Sequence, residues 1–206
     1  MKKVLILIIV IAIFSCKNKE KIKFYYPSEN YYKNIENPVE LELDNFSNFE
    51  KLIDSIGILM ADKKNVVSQI NEKNKYYYFE INSLEEKGRT IPYHIKLRNL
   101  LGISTDSILK NDYYSTDSLS SFLKKDLLNF GKDRDFSDNP NRLIVSIELE
   151  KNQRVLEVKK ILLEVFKTYD KLDKVKRDTI PLNIYFNWKS IKVRRPPIPT
   201  ENEMDE

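Results

Sequence analysis

The chain is poor in the residues that form most covalent, metal-bound and phosphate-binding sites. Its 206 residues include one cysteine, one histidine and four glycines. One cysteine excludes an internal disulfide framework, and one cysteine with one histidine cannot supply the about four nitrogen and sulfur ligands of a closed zinc site. Four scattered glycines leave no glycine-rich loop to cradle a phosphate. We therefore expect no metal and no cofactor.

Candidate catalytic residues are equally few. His94 is the only imidazole, so a Ser-His-Asp or Cys-His site would have to be built on it. It follows Pro92 and Tyr93, and we interpret it as a structural or exposed loop residue. The acidic loop 132–135 with Asp138 could offer oxygens to a cation, but it lacks the residue order and the glycine of an EF-hand, which favours a solvated loop. The sequence predicts a protein that is not an enzyme and has no catalytic residues.

The amino terminus has the pattern of an export signal. Lys2 and Lys3 precede an unbroken apolar run at residues 4–14, and a polar run begins at Lys17. The apolar run is shorter than the roughly 20 residues that cross a ~30 Å hydrocarbon core. We therefore expect residues 1–15 to be a signal peptide that is removed after export.

The only cysteine follows this apolar run directly. Ile13-Phe14-Ser15-Cys16 resembles the lipobox of bacterial lipoproteins, with a branched aliphatic residue three positions before the cysteine and a small residue just before it. The resemblance implies cleavage before Cys16, attachment of a diacylglycerol to its thiol and acylation of the new amino terminus by a fatty acid such as palmitate. It also implies residence in the bacterial cell envelope, at the outer membrane facing the periplasm. The alternative is an ordinary signal peptide with an incidental cysteine.

Lipid attachment and charge decide which partners we expect. Each buried CH₂ contributes about 0.8 kcal/mol, so two or three acyl chains on Cys16 hold a protein stably on a bilayer without a spanning helix. Cleavage removes two of the 35 basic residues and leaves 33 against 31 acidic residues. By this near-neutral balance alone, neither nucleic acid nor anionic lipid is a natural partner, and we expect no nucleic-acid partner. The expected partners are the bilayer, through acylated Cys16, and an envelope protein or peptidoglycan.

Hydrophobic patterns divide the exported chain into four parts. Residues 16–38 show no helical or strand period and are predicted to be the lipidated amino terminus and a tether. Residues 39–102 form an amino-terminal α/β part, with a strand at 39–43, a helix capped at Ser47, a hairpin at 66–81 and a helix over 92–101 that ends at Gly102. Residues 103–188 form the second α/β part, and residues 189–206 a disordered proline-rich tail.

The second α/β part has the clearer periodicity. A strand or hairpin at 108–114 precedes a helix capped by Thr116 or Asp117 and closed by Gly131. After a polar loop come an alternating strand at 143–149, the longest helical period at 155–172 and a closing strand at 182–188.

This order of elements resembles the periplasmic domain of ExbD/TolR-type biopolymer transport proteins. The resemblance rests on residues 116–123, 139–147 and 155–162 and covers residues 105–188. Members of that family have a membrane helix with an aspartate that handles protons, whereas residues 4–14 contain no carboxylate. The resemblance therefore implies the folded envelope module of the family without its proton-driven activity.

Together these patterns predict an α+β fold, an open mixed sheet with helices packed on one face. The similar order of elements in the two parts suggests a duplication of a strand-helix-strand-helix unit. For function we expect a noncatalytic lipoprotein whose α/β module binds a protein or an envelope polymer, through an exposed sheet edge or the tyrosine-rich strand at 76–79. The alternative is a membrane-tethered hydrolase or glycan-binding component, which predicts a deep pocket with convergent carboxylates or His94.

Overall fold

The computed structural model describes residues 21–26, 28–83, 96–173 and 179–188. The leader, Cys16, His94 and the tail at 189–206 lie outside these residues, so the predictions made for them remain predictions. All statements below concern the described part of the chain.

A nine-stranded mixed sheet runs through the described residues. Its order is β2-β3-β4-β9-β8-β5-β6-β7, and β1 pairs with β4 on the edge that β9 also uses. The β3–β4, β5–β6 and β6–β7 pairs are antiparallel and the others are parallel. The predicted α+β fold with an open mixed sheet is confirmed. The strands are β1 (Ile22–Tyr26), β2 (Pro38–Leu41), β3 (Asn65–Glu72), β4 (Lys75–Ser83), β5 (Leu100–Ile103), β6 (Ile108–Lys110), β7 (Asp112–Tyr114), β8 (Ile144–Leu149) and β9 (Asn183–Trp188).

In the described part of the chain four α-helices accompany the sheet: α1 (Glu29–Lys33), α2 (Phe49–Ala61), α3 (Leu119–Leu128) and α4 (Val155–Asp170). The order of elements predicted for the second part is confirmed, because long apolar periods specify helices and strands most clearly. Helix ends are less well predicted. Asn48, and not Ser47, caps α2 by accepting a hydrogen bond from the Lys51 backbone N–H, and Ser115 caps the turn that leads into α3.

The three long helices lie on one face of the sheet. Tyr77 and Phe79 of β4 contact Phe166 of α4, with ring centroids 5.1 and 5.3 Å apart. Helices α2 and α3 both pack against α4, so the core lies between these helices and this face. The intervening side chains of β4 point the other way, and there Tyr78 contacts Tyr32 of the short helix α1. We call the side that carries α1 the second face.

The structure corrects the tether predicted for residues 16–38. Residues 22–26 form β1, parallel to β4, and Tyr26 is only 3% exposed. The strand is too short to show a period, and its stability comes from aromatic pairs across the strands, such as Phe24 on Tyr77 and Tyr25 on Tyr78, with centroids 5.2 and 4.9 Å apart. Only residues 17–21 separate Cys16 from the sheet.

The helix predicted over 92–101 is also corrected. Its first four residues lie outside the described chain, but Leu100–Ile103 is strand β5, parallel to β8. Gly102 does not end a helix: a Cβ there would lie 2.9 Å from Glu148 Oε1 on the neighbouring strand. A short apolar run is compatible with a buried strand as well as with a helix, and for this reason the predicted helix was wrong at these residues. The proposed duplication loses its fourth matching element, and the β4–β9 pair joins the two predicted parts in one sheet.

Candidate functional site

A polar cavity opens on the second face where β5, β8 and β9 begin. Its volume is about 540 Å³ and it opens broadly to solvent. The register places Leu100, Ile144 and Asn183 side by side, so the starts of three parallel strands form its wall. The residues that line it are Lys96, Asn99, Asn141, Arg142, Ile144, Asn183 and Tyr185.

The loop before β8 shapes one rim of the polar cavity. The Asn139 side chain accepts a hydrogen bond from the Asn141 backbone N–H at 2.9 Å, and Pro140 opens a short 3₁₀ turn, where its fixed φ fits and its missing N–H costs nothing. The turn leaves Asn141 and Arg142 exposed. Asn183 Nδ2 donates to the Leu143 carbonyl at 3.1 Å, which ties the start of β9 to this rim.

Asp138 organises the charges around the cavity. Its Oδ2 atom lies 3.0 Å from Lys96 Nζ and 2.9 Å from Arg98 Nη2. Hydrogen bonds from Lys96, and then from Asn99 and Arg98, lower the pKa of the Asp138 carboxyl to about 2. Lys96 is therefore compensated by a carboxylate. Arg142 forms no ion pair with any described residue and is the uncompensated cation of the rim.

A buried polar network reaches the cavity through Asn99, which is one of its lining residues. Lys110 Nζ and Asp126 Oδ1 are 2.6 Å apart, and their side chains are 2% and 0% exposed. Asp126 also accepts a hydrogen bond from the Ser137 N–H at 2.7 Å, and Ser137 Oγ donates to Asn99 Oδ1 at 3.1 Å. Burial raises the pKa of Asp126 and lowers that of Lys110, while their mutual attraction opposes both shifts. The network joins β6, α3 and the loop before β8.

Beside the cavity, the second face continues to the Glu80 carboxyl group, which contacts α1. Tyr31 donates its hydroxyl hydrogen to Glu80 Oε2 at 2.8 Å. Burial raises the pKa of Glu80, and burial together with the Glu80 charge raises the pKa of Tyr185. Among the described residues that line the cavity there is no carboxylate.

The tyrosine-rich strand at 76–79 does not present a free edge. It is the interior strand β4, paired with β3 on one side and with β1 and β9 on the other. Tyr77 and Phe79 are fully buried, so their strand-forming character, and not a contact surface, accounts for them. Among the described strands, β7 lies at a free edge of the sheet, and all three of its residues are exposed.

The other predicted candidates contribute little to this surface. The Asp133 backbone N–H donates to the Asn129 side chain, and Asp138 is occupied by two cations. Within the described ranges, no three His, Cys, Asp or Glu side chains are grouped so that they could hold a metal ion. In the same ranges, none of the helices has both the length and the apolar character needed to span a bilayer.

The polar cavity was missed by sequence reasoning because its lining comes from distant segments. Asn139-Pro140-Asn141 was the one local signal, since asparagine and proline together indicate a fixed turn. Comparison with protein-family models, with curated proteins and with solved structures finds no match to this chain.

Proposed function

We propose that this chain is a noncatalytic lipoprotein of the bacterial cell envelope, anchored through acylated Cys16, whose α+β domain binds an envelope polymer. The observation that carries the proposal is the composition of the polar cavity. It combines three asparagine amides, one tyrosine and an arginine without an ion-pair partner in an opening wide enough for a polymer segment.

The lining chemistry suits a carboxylate-bearing glycan or glycopeptide such as peptidoglycan. The Asn141 amide is exposed and can both donate and accept, as sugar hydroxyl and amide groups require. The ring of Tyr185 offers an amphipathic surface to a sugar face. The planar guanidinium of Arg142 can bind a carboxylate through two parallel hydrogen bonds.

The binding test uses the acylated protein in detergent and purified peptidoglycan in a sedimentation assay. We expect Arg142→Gln to weaken association about tenfold, because a charge-assisted hydrogen bond is lost. Arg134→Gln is the matched control, since Arg134 is an exposed arginine in the same polar loop but outside the lining. Equal binding by both variants would contradict the proposal, and release of soluble fragments would favour the tethered hydrolase.

The anchor has its own test. Cys16→Ala should abolish fatty-acid labelling of the protein in growing bacteria and release it from the membrane fraction. Label that persists in this variant would contradict acylation of Cys16. The ordinary signal peptide predicts an unlabelled mature protein in both forms.

One observation favours a protein partner as a second candidate. Strand β7 ends the sheet in the described chain, and its Tyr113 and Tyr114 are 50% and 41% exposed. Such an edge can accept an additional strand through backbone hydrogen bonds. A photoreactive group at position 113, with the same group at Asp62 as control, should crosslink one envelope protein specifically if this edge is used.

A further inference from the structure

The chain enters the sheet beside the turn between β3 and β4. Strand β1 is parallel to β4, with Ile22 opposite Lys75, and the Ile22 N–H donates to the Asn74 carbonyl at 2.9 Å. The residue that leads in from Cys16 and the turn at Lys73 therefore share one end of the molecule. We call it the hairpin end and define it as Lys21, Ile22, Lys23, Lys73, Lys75 and Tyr76.

The hairpin end carries positive charge that nothing described neutralises. Lys21, Lys23 and Lys73 are exposed and Lys75 is half-buried, and none of the four is paired with a described carboxylate. The acidic side chain next to the turn, Glu72, is occupied by Lys167 at 3.1 Å. This end is therefore complementary to an anionic surface.

Apolar and aromatic groups accompany these lysines. Lys21 Nζ lies 5.2 Å from the centroid of the Tyr76 ring. Ile22 is 44% exposed although it begins a strand of the sheet. Tyrosine and long lysine side chains are the residues that suit the headgroup region of a bilayer, where an apolar body and a polar tip are both accommodated.

The chain length brings this end to the membrane. Residues 17–21 separate Cys16 from Ile22, and six Cα-to-Cα steps of at most about 3.6 Å span no more than about 22 Å. Acyl chains on Cys16 therefore hold the hairpin end within about 22 Å of the bilayer.

We propose that the hairpin end docks on anionic glycerophospholipid headgroups of the leaflet that holds the acyl chains of Cys16. Docking fixes the orientation of the domain, with the β3–β4 turn toward the bilayer. The inference rests on the anchor in the proposed function, and it adds a second contact with the same membrane that the anchor alone does not require.

An environment-sensitive fluorophore can detect this contact in the full acylated protein. The label is placed by Asn71→Cys, at an exposed position opposite Tyr76, and the protein is reconstituted into vesicles of phosphatidylcholine with or without 30% phosphatidylglycerol, a test composition of roughly physiological charge. We expect a blue shift and protection from an aqueous quencher only with the anionic lipid, weakened at high salt. The same label at Asp62 should stay in water, because Asp62 lies beyond the other end of strand β3 and the six residues from Asn71 back to Asn65 already span about 20 Å.

Removal of the lysine charges tests whether they cause the docking. Lys21→Gln with Lys73→Gln and Lys75→Gln should lower the docked-to-undocked ratio on the order of 100-fold, since each charge contributes about fivefold. Lys51→Gln with Lys64→Gln and Lys124→Gln removes the same charge at exposed positions elsewhere and should leave the blue shift unchanged.

The outcomes separate docking from anchoring. An unshifted Asn71 label in protein that still floats with the vesicles overturns docking and leaves the anchor intact. A shift that is equal in both lipids, or equal in both lysine variants, also overturns the proposal. Loss of flotation because Cys16 carries no lipid overturns the anchor itself, and mass spectrometry of the protein identifies that case.

Discussion

Two buried regions of this protein hold different parts of the sheet together by different chemistry. The aromatic seam joins β1, β4 and α4, and it comprises Tyr26, Tyr77, Phe79, Phe166 and Tyr169. The polar network joins β6, α3 and the loop before β8, and it comprises Lys110, Asp126, Ser137 and Asn99. All of these side chains are at most 5% exposed.

The aromatic seam relies mainly on ring packing. Phe166 lies parallel to Tyr26 at 4.6 Å between centroids, and Tyr169 meets Tyr26 edge-on at 5.4 Å. Two polar contacts are added: the Tyr26 hydroxyl donates to Asp170 Oδ1 at 2.7 Å, and the Tyr169 hydroxyl donates to the Ile180 carbonyl. Apolar packing tolerates changes that conserve volume, so the seam should accept apolar substitutions of similar size.

The polar network relies on partners in fixed positions. A buried ion pair is stable only while both charges and their hydrogen bonds are in place, and removal of one partner leaves an uncompensated charge. The two regions therefore differ in how well they tolerate substitution of their side chains. Substitution in the seam should reduce stability gradually, whereas loss of one network residue should disturb the hydrogen bonds that hold Asn99 at the cavity.

The largest effect is expected in the network. Lys110→Met should lower the free energy of unfolding by about 4 kcal/mol, because Asp126 is left charged or must take up a proton in the interior. Urea denaturation measures this loss. The double variant Lys110→Met with Asp126→Leu should recover most of it, and a double variant less stable than the single one would contradict our account of the pair.

A smaller loss is expected in the seam. Phe166→Leu keeps an apolar side chain but removes ring contacts with Tyr26, Tyr77 and Phe79, and should cost about 2 kcal/mol of unfolding free energy. Phe130→Leu is the matched control at a side chain that is 58% exposed, and should change stability by less than about 0.5 kcal/mol. Similar losses at both positions would show that ring packing is not what holds β1.

Removal of a tyrosine hydroxyl should stabilise the protein at one position in the seam and destabilise it at another. The buried Tyr77 hydroxyl has no hydrogen-bond partner among the described residues, so Tyr77→Phe should stabilise the protein by about 1 kcal/mol. Tyr26→Phe removes the bond to Asp170 and should destabilise it by about 1 kcal/mol. Thermal unfolding of the two variants side by side measures the difference, and a shift of the same sign in both would contradict these assignments.

The smallest effect concerns Asp138, which links the network to the solvent-exposed rim. Its pKa of about 2 in the folded protein is below the ordinary value of 3.8, so its ionised form stabilises the fold above about pH 4. This contribution should be lost as the pH falls from about 4 to 2. The stability difference between the natural protein and Asp138→Asn should shrink over this range. A difference that stays constant from pH 5 to pH 2 would exclude the cation contacts as its cause.

The contrast also explains what the sequence could predict. The periods of α4 and β8 are long, and an apolar face repeated over several turns or strand positions has one interpretation. Strand β1 has only five residues, and Leu100 to Ile103 is an apolar run without a period. Both segments are strands because they pair with strands that are distant in the sequence. Aromatic residues at 24–26 were visible, but their partners lie some fifty residues away in β4.

The polar cavity and the network could not be predicted because no local pattern encodes them. Lys110 and Asp126 are an ordinary lysine and aspartate in the sequence, and only the fold brings their charges to 2.6 Å. The cavity is assembled from residues near positions 96, 141 and 183, in segments that meet through parallel pairing. The lipid attachment at Cys16 is the reverse case, because a short contiguous pattern predicts it without reference to the fold.

The parallel pairing of β1 with β4 has a mechanical consequence for an anchored protein. A load between a fixed lipid and a bound polymer would pull on β1 from its first residue, along the strand axis. Five consecutive residue pairs, from Ile22 with Lys75 to Tyr26 with Phe79, would resist that load together in shear instead of opening one after another. The amino-terminal strand would thus transmit force between the envelope and the domain without separating from the sheet.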